Sequence, residues 1–186
     1  MNRPAPSTRF GRPAPARFSA EEFLRMADLG AFDEMKVELD HGEIVRLNPP
    51  FAPHGAAVAQ IIVALSRAIQ GSGLTLTGEA AIRLSGETVY AFDAALIRGI
   101  APLGEYEPHQ LTLLVEVADT SLNRDLGRKS DEYAHAGIPH YWVVDVNARV
   151  THVMGAPGED GYDKRDVVRF GEPLELPDGL GTITLG

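Results

Sequence analysis

Asp93 and Glu116 are the two residues of this 186-residue chain whose surroundings most demand an explanation. Each is a carboxylate inside an apolar run. Phe92 precedes Asp93, and Ala94, Ala95, Leu96 and Ile97 follow it, while Glu116 breaks the stretch from Leu111 to Val117. Burying a carboxylate without a partner costs roughly several kcal/mol even after relaxation, so each acid needs a cation, a hydrogen-bond donor or access to water. Two acids on sheet strands, 23 residues apart, can meet at one end of a sheet. There they can hold a hard cation such as Mg²⁺, which prefers oxygen ligands and retains waters. The same spacing also fits two acids that are solvated at strand ends or paired with arginine, and spacing alone leaves both readings open. Lys129 bears on the choice. It is one of only three lysines, with Lys36 and Lys164, and falls in the first turn of the helix expected after the Glu116 strand. A short loop returns that helix start toward the strand end carrying Glu116. An ammonium group there can neutralise a scissile phosphate or orient an attacking water. Tyr133, four residues on and on the same helical face, is placed to line the site or to pack beneath it.

The elements that must position these groups can be read from pattern and punctuation. Ser19-Ala20-Glu21-Glu22 has capping-box spacing ahead of a short helix that Gly30 can end. Val37–Leu39 and Ile44–Leu47 flank Asp40-His41-Gly42 as a hairpin, and Pro49-Pro50 breaks the chain. Between residues 54 and 70, Val58, Ile61, Ile62, Leu65 and Ile69 recur at spacings of three and four, one apolar stripe of a helix. Leu74–Thr77 and Ala80–Leu84 read as short extended pieces, Thr88–Ile97 and Leu111–Val117 as strands, and residues 98–110 as a loop. A helix is expected over 124–136, then a buried strand from Tyr141 to Asp145, then Arg149–Met154 and one or two edge strands. Helix, three strands, helix, strand is an α/β pattern, and its hairpins and crossover predict a mixed sheet.

Composition narrows the classes. The chain has no cysteine, which excludes disulfides, cysteine–zinc sites and thiol nucleophiles. No apolar run approaches the ~18 residues of a membrane span, and no secretory apolar core follows the N-terminus, so a cytoplasmic location is the expectation. The net charge is −9. Residues 1–18 hold Arg3, Arg9, Arg12 and Arg17, four prolines and no acid, and read as a flexible basic arm ahead of a single domain over 19–186. An acidic body argues against a generic nucleic-acid-binding surface. It is compatible with a nuclease, because a bound divalent cation offsets the repulsion among its carboxylate ligands. A Gly-x-Ser-x-Gly elbow and a phosphate-binding Gly-x-x-x-x-Gly-Lys loop are both missing. His54, after Pro53, is expected to cap or pack its helix, with a place near substrate as the other reading. Tyr141 and Trp142 are expected to pack in the core.

Two segments carry a family resemblance. Glu38-Leu39-Asp40-His41-Gly42-Glu43-Ile44-Val45, with Asn48-Pro49-Pro50 and His54, resembles the N-terminal signature of the Uma-type putative restriction endonuclease family. Val115-Glu116-Val117, Asp125, Lys129, Tyr133 and Ala136 through Asp145 resemble its second signature. The resemblance runs from about residue 19 to 155 and places the chain in the PD-(D/E)XK nuclease superfamily, with its restriction-endonuclease-like core of helix, three strands, helix and strand. It implies Asp93 and Glu116 as metal ligands, helped by the Val117 backbone carbonyl. It also implies Lys129 as the catalytic lysine, since Ala118 stands where the superfamily usually has it. Glu38 matches a family acid that joins the site as a further ligand or base. Phe92 replaces the usual proline, and Ala118-Asp119-Thr120-Ser121-Leu122 replaces the usual loop after the second acid. The implied activity is Mg²⁺-dependent hydrolysis of DNA phosphodiesters, with Mn²⁺ as a substitute and a homodimer as one way to cut two strands. The rival readings are a non-catalytic nucleic-acid or protein-interaction module on the same fold, and a phosphoesterase for small substrates.

Overall fold

The computed structural model describes residues 14–99 and 104–186. Its centre is an eight-stranded mixed sheet. Helix α1 (Ala20–Asp28) begins at Ser19, whose hydroxyl accepts from the Glu22 amide while the Glu22 carboxylate takes the Ser19 amide, the expected capping box. Strands β1 (Val37–Asp40) and β2 (Glu43–Arg46) form the hairpin. Helix α2 (Ala52–Ala68) lays Ile61 and Leu65 on the sheet. Strand β3 (Leu74–Arg83) pairs with β4 (Val89–Arg98) in one register from end to end, apart from Glu79 opposite Asp93. The two short pieces expected over 74–84 are therefore one strand. Glu79 takes a φ of 40° at their junction, and the strand bends there instead of ending. Gly78 sits under α2: a Cβ there would meet Ile62 Cδ1 at 3.2 Å, so its bareness lets the helix approach.

Strand β5 (Leu111–Ala118) is buried throughout and runs antiparallel to β4 and parallel to β6 (His140–Asp145). The crossover between β5 and β6 is a broken helix. A single turn, α3 (Leu122–Arg124), leads into a wide π-type turn over Asp125–Lys129, and α4 (Ser130–His135) follows. Gly127, with φ −99° and ψ −107°, interrupts the helical path. Lys129 thus belongs to the π-type turn and not to a regular first turn, a geometry that recurs at functional sites. Strands β7 (Val150–Gly158) and β8 (Gly161–Arg169) extend the sheet, and the tail adds the small pair β9 (Leu174–Glu175) and β10 (Thr182–Ile183). Strand β8 ends the sheet with Lys164, Arg165 and Asp166, charges that discourage a further strand from pairing.

Alternation along β6 shows how both faces are covered. Tyr141 and Val143 join a core with Tyr90, Phe92 and Tyr133, while Trp142 and Val144 join one with Ile61, Leu65 and Leu174. Tyr141 and Trp142 pack as expected. A third cluster seats Phe23 of α1 on Leu39 and Val89. The basic arm expected over 1–18 lies mostly outside the described residues. Of its last residues, the Phe18 amide donates to Gly42 O at 2.9 Å and Arg17 pairs with Glu43 at 3.2 Å. Among the described residues no helix is long and apolar enough to cross a membrane.

Candidate active site

The site lies in a gap at one edge of β4. Strand β1 pairs with that strand at Leu39–Val89, and β5 pairs with it from Ala94–Val115 onward. Between these contacts no strand among the described residues lies beside the backbone of β4 on that edge, yet buried amides and carbonyls must be satisfied. Ionised side chains do it. The Ala91 amide donates to Glu38 Oε1 at 3.0 Å, and the Ala91 carbonyl accepts from Lys129 Nζ at 2.9 Å. Where the β4–β5 ladder stops, Asp93 Oδ2 takes the Val117 amide at 2.7 Å.

Lys129 is 3% exposed, and Asp93 and Glu116 are each 5% exposed. Lys129 Nζ reaches Glu116 Oε1 at 2.7 Å and Glu38 Oε1 at 3.0 Å. The ammonium donates hydrogen bonds to Ala91 O and Glu116 Oε1 and is ion-paired with Glu38. The Tyr133 hydroxyl donates to the same Glu116 oxygen at 2.9 Å, and the ring is fully buried in the core, so Tyr133 packs beneath the site. Both bonds to Glu116 fall on Oε1. Burial pushes the Glu116 carboxyl up to about 8 despite the Lys129 charge beside it. Ala118 is fully buried in the Tyr133–Tyr141 core, so the cation that faces Glu116 comes from the crossover.

Glu38 is the fully buried anchor of the crossover. Besides Lys129 it pairs with Arg124, and Asp40, two residues along the same strand face, takes Arg128 at 2.9 Å and the Tyr90 hydroxyl at 2.9 Å. Period-two alternation thus turns Glu38 and Asp40 toward the cations of the broken helix, while Leu39 faces the α1 core. Asp125 is also buried. Desolvation raises its pKa, against the opposing pull of Lys129 and a hydrogen bond from Ser121.

His54 departs from the expected capping or packing role. The N-cap of α2 is Phe51, with no side-chain cap bond. The His54 ring instead spans Val117 O, 3.0 Å from Nδ1, and Asp93 Oδ1, 3.3 Å from Nε2. The hydrogen bond to Asp93 raises the imidazole pKa against the effect of burial. Burial would push the Asp93 carboxyl up, but the bonds from His54 and the Val117 amide outweigh it and hold that carboxyl low. Glu38, Asp93, Glu116, Val117 and Lys129 all line one cavity of about 400 Å³. His54, Arg124 and Asp125 line it too, and were not assigned from sequence.

A family model, Uma2, described as Putative restriction endonuclease, matches residues 20–186. The chain belongs to the Uma2 family. A solved structure similar to this Uma2 chain is that of a putative nuclease belonging to DUF820 from Anabaena variabilis ATCC 29413. The two superpose with a TM-score of 0.67 over 88% of this chain and 91% of the other, at 15% sequence identity. At that identity the likeness is one of fold. Comparison with curated proteins returned no match. Among the described residues of the Uma2 chain, no group of three or more His, Asp or Glu side chains forms a ready metal cage.

Proposed function

We propose that this Uma2 chain is a metal-dependent endonuclease that hydrolyses DNA phosphodiesters, with Asp93, Glu116 and the Val117 carbonyl as the cation's ligands and Lys129 as the catalytic lysine. The observation that carries the reading is the gap in the β4 edge, where Lys129 and Glu116 are in contact and Asp93 is bonded to Val117. The donor chemistry fits Mg²⁺, and Mn²⁺ as its substitute: two carboxylates and a carbonyl, all oxygen. His54 supports the fit, since its ring rests on Asp93 Oδ1 and Val117 O, two of those oxygens, as a cationic imidazolium would. When bound, such a cation polarises the phosphate and lowers the pKa of a coordinated water.

The chain's own groups do the rest. Lys129 donates to Ala91 O and is ion-paired with Glu38 at its back, and donates to Glu116 in the cleft. The Glu116 bond is the one that a phosphate oxygen or the attacking water replaces, which puts the ammonium charge on the reacting group. Glu38 acts as a positioning residue. Its carboxylate is spent on Lys129, Arg124 and the Ala91 amide, so it holds the lysine and leaves cation binding to the other two acids. Tyr133 fixes the Glu116 rotamer through its hydroxyl. Cutting both strands of a duplex at one place would call on two copies of the chain.

Nicking of supercoiled plasmid in Mg²⁺ or Mn²⁺ tests the reading. Lys129→Ala and Asp93→Asn should each abolish nicking by the purified protein. Activity that survives both substitutions refutes the assignment, and wild-type protein that never nicks favours the binding-module alternative.

A further inference from the structure

The cleft does not end at the acids. A second cavity, of about 640 Å³, shares Lys36, Arg46, Leu47, Pro49, Pro50 and Ala91 with the first, so the two form one groove from the acids across the open end of the hairpin. Two observations on its wall point to the same ligand. One is charge. Lys36 and Arg46 stand on the two arms of the hairpin's open end, where the Leu47 amide donates to Lys36 O and Arg46 pairs with Val37, and both line both cavities. Both are exposed, and neither has an ion-pair partner among the described residues, although Asp33, Glu34 and Glu79 line the second cavity with them, so the cations that can meet phosphate are the two where the cavities join. Lys36 lines the same cavity as Asp93 and His54. The other is an aromatic ring. Phe51 lines the acid-bearing cavity yet is 62% exposed. It stacks on no other aromatic ring among the described residues. Pro49, Pro50 and Pro53 restrict the backbone on both sides of it, so the ring is presented by a stiff strap at low entropic cost.

Unpaired cations beside an exposed, pre-organised aromatic ring are what a single nucleic-acid strand requires: charge for its phosphates and a flat apolar face for its bases. A base-paired stack offers no free base face to such a ring. The acids are nearly covered at the floor of a concave groove, which a flexible strand enters more readily than a rigid duplex. We propose that the groove takes an unpaired stretch of DNA, with one base stacked on Phe51 and flanking phosphates on Lys36 and Arg46. The substrate of the reaction is then a frayed, looped or single-stranded segment. The inference rests on the nuclease reading for the scissile phosphate. The strand site itself can be measured without cleavage.

Fluorescence anisotropy in EDTA with the full chain separates the two claims. The probes are a labelled twelve-residue oligothymidylate and a blunt duplex of equal length. The single strand should bind at least about tenfold tighter than the duplex, the order of one base stack. Phe51→Ala should weaken strand binding by about 5- to 150-fold. Phe51→Trp should retain it, and the introduced indole should be quenched by the strand and not by the duplex. Lys36→Ala and Arg46→Ala should each flatten the dependence of log affinity on log salt by about 0.7. Equal binding of strand and duplex, or strand binding unchanged in Phe51→Ala, overturns the proposal. Strand binding that depends on Phe51 in a protein that never nicks plasmid upholds it and removes the nuclease reading. Nicking with no strand preference does the reverse.

Discussion

Replacing Lys129 by methionine tests the buried charge network most directly. Methionine keeps an unbranched stem of similar length, so the loss of packing is small and the change isolates the ammonium. That group holds contacts of 2.7, 2.9 and 3.0 Å to Glu116, Ala91 O and Glu38. Removing one partner of a buried ion pair costs roughly 3–5 kcal/mol, because the other charge stays behind without compensation. Here the lower end is expected, roughly 3 kcal/mol. Glu38 keeps Arg124 and the Ala91 amide, and Glu116, already pushed up to about 8, escapes by taking a proton. Against a total stability of about 5–15 kcal/mol the loss is large. Urea unfolding at pH 7 in EDTA reads it, with Trp142, the single tryptophan and 1% exposed, as reporter. Lys129→Met combined with Glu116→Gln should be no less stable than Lys129→Met alone, since the Glu116 carboxyl, protonated once Lys129 is gone, is replaced by a neutral amide of the same shape. A loss below about 1 kcal/mol, the value of a surface pair, or a double variant weaker than the single one, refutes the reasoning.

Two further outcomes follow from contacts of single groups. Tyr133→Phe removes one buried hydroxyl and almost no volume, and should cost roughly 0.5–1.5 kcal/mol at pH 7, the range for a neutral hydrogen bond, since Glu116 is pushed up to about 8. The same urea titration measures it, and an unchanged midpoint would show that Glu116 does not need that donor. His140, half-buried on β6, has its pKa drawn below 6.5 by desolvation. Its folded value is depressed, so the stability it contributes is full above 6.5 and falls away as pH drops through the folded value. An NMR titration of its ring protons should give a midpoint under 6.5, and one at or above that value contradicts the burial argument.

The acids were legible because strands tolerate few charges: Asp93 and Glu116 stand out inside runs of alanine, leucine and valine. Lys129 was legible by the scarcity of lysine and by the resemblance. Glu38 came from the resemblance alone, because Val-Glu-Leu-Asp reads like any half-exposed hairpin strand and gives no sign that its glutamate is fully buried. His54 and Arg124 were not assigned, since polar residues near helix starts are usually caps or solvated groups. Their roles depend on where β1 and β5 leave β4, and strand ends set by tertiary pairing have no local signal. The same limit explains β3. Gly78 and Glu79 look like a break, and only the unchanged register with β4 on both sides of Glu79 shows that the strand runs through.

The seam between the hairpin and the rest of the sheet is closed at Ala91 by charged side chains, where most sheets use another strand. The groups assigned to the reaction are therefore also mortar. A cell carrying a change at Glu38 or Lys129 would first hold less of the protein, as quality control removes a loosened chain, and reduced abundance would mimic a damaged catalyst. Measurements of activity at these positions have meaning only per folded molecule.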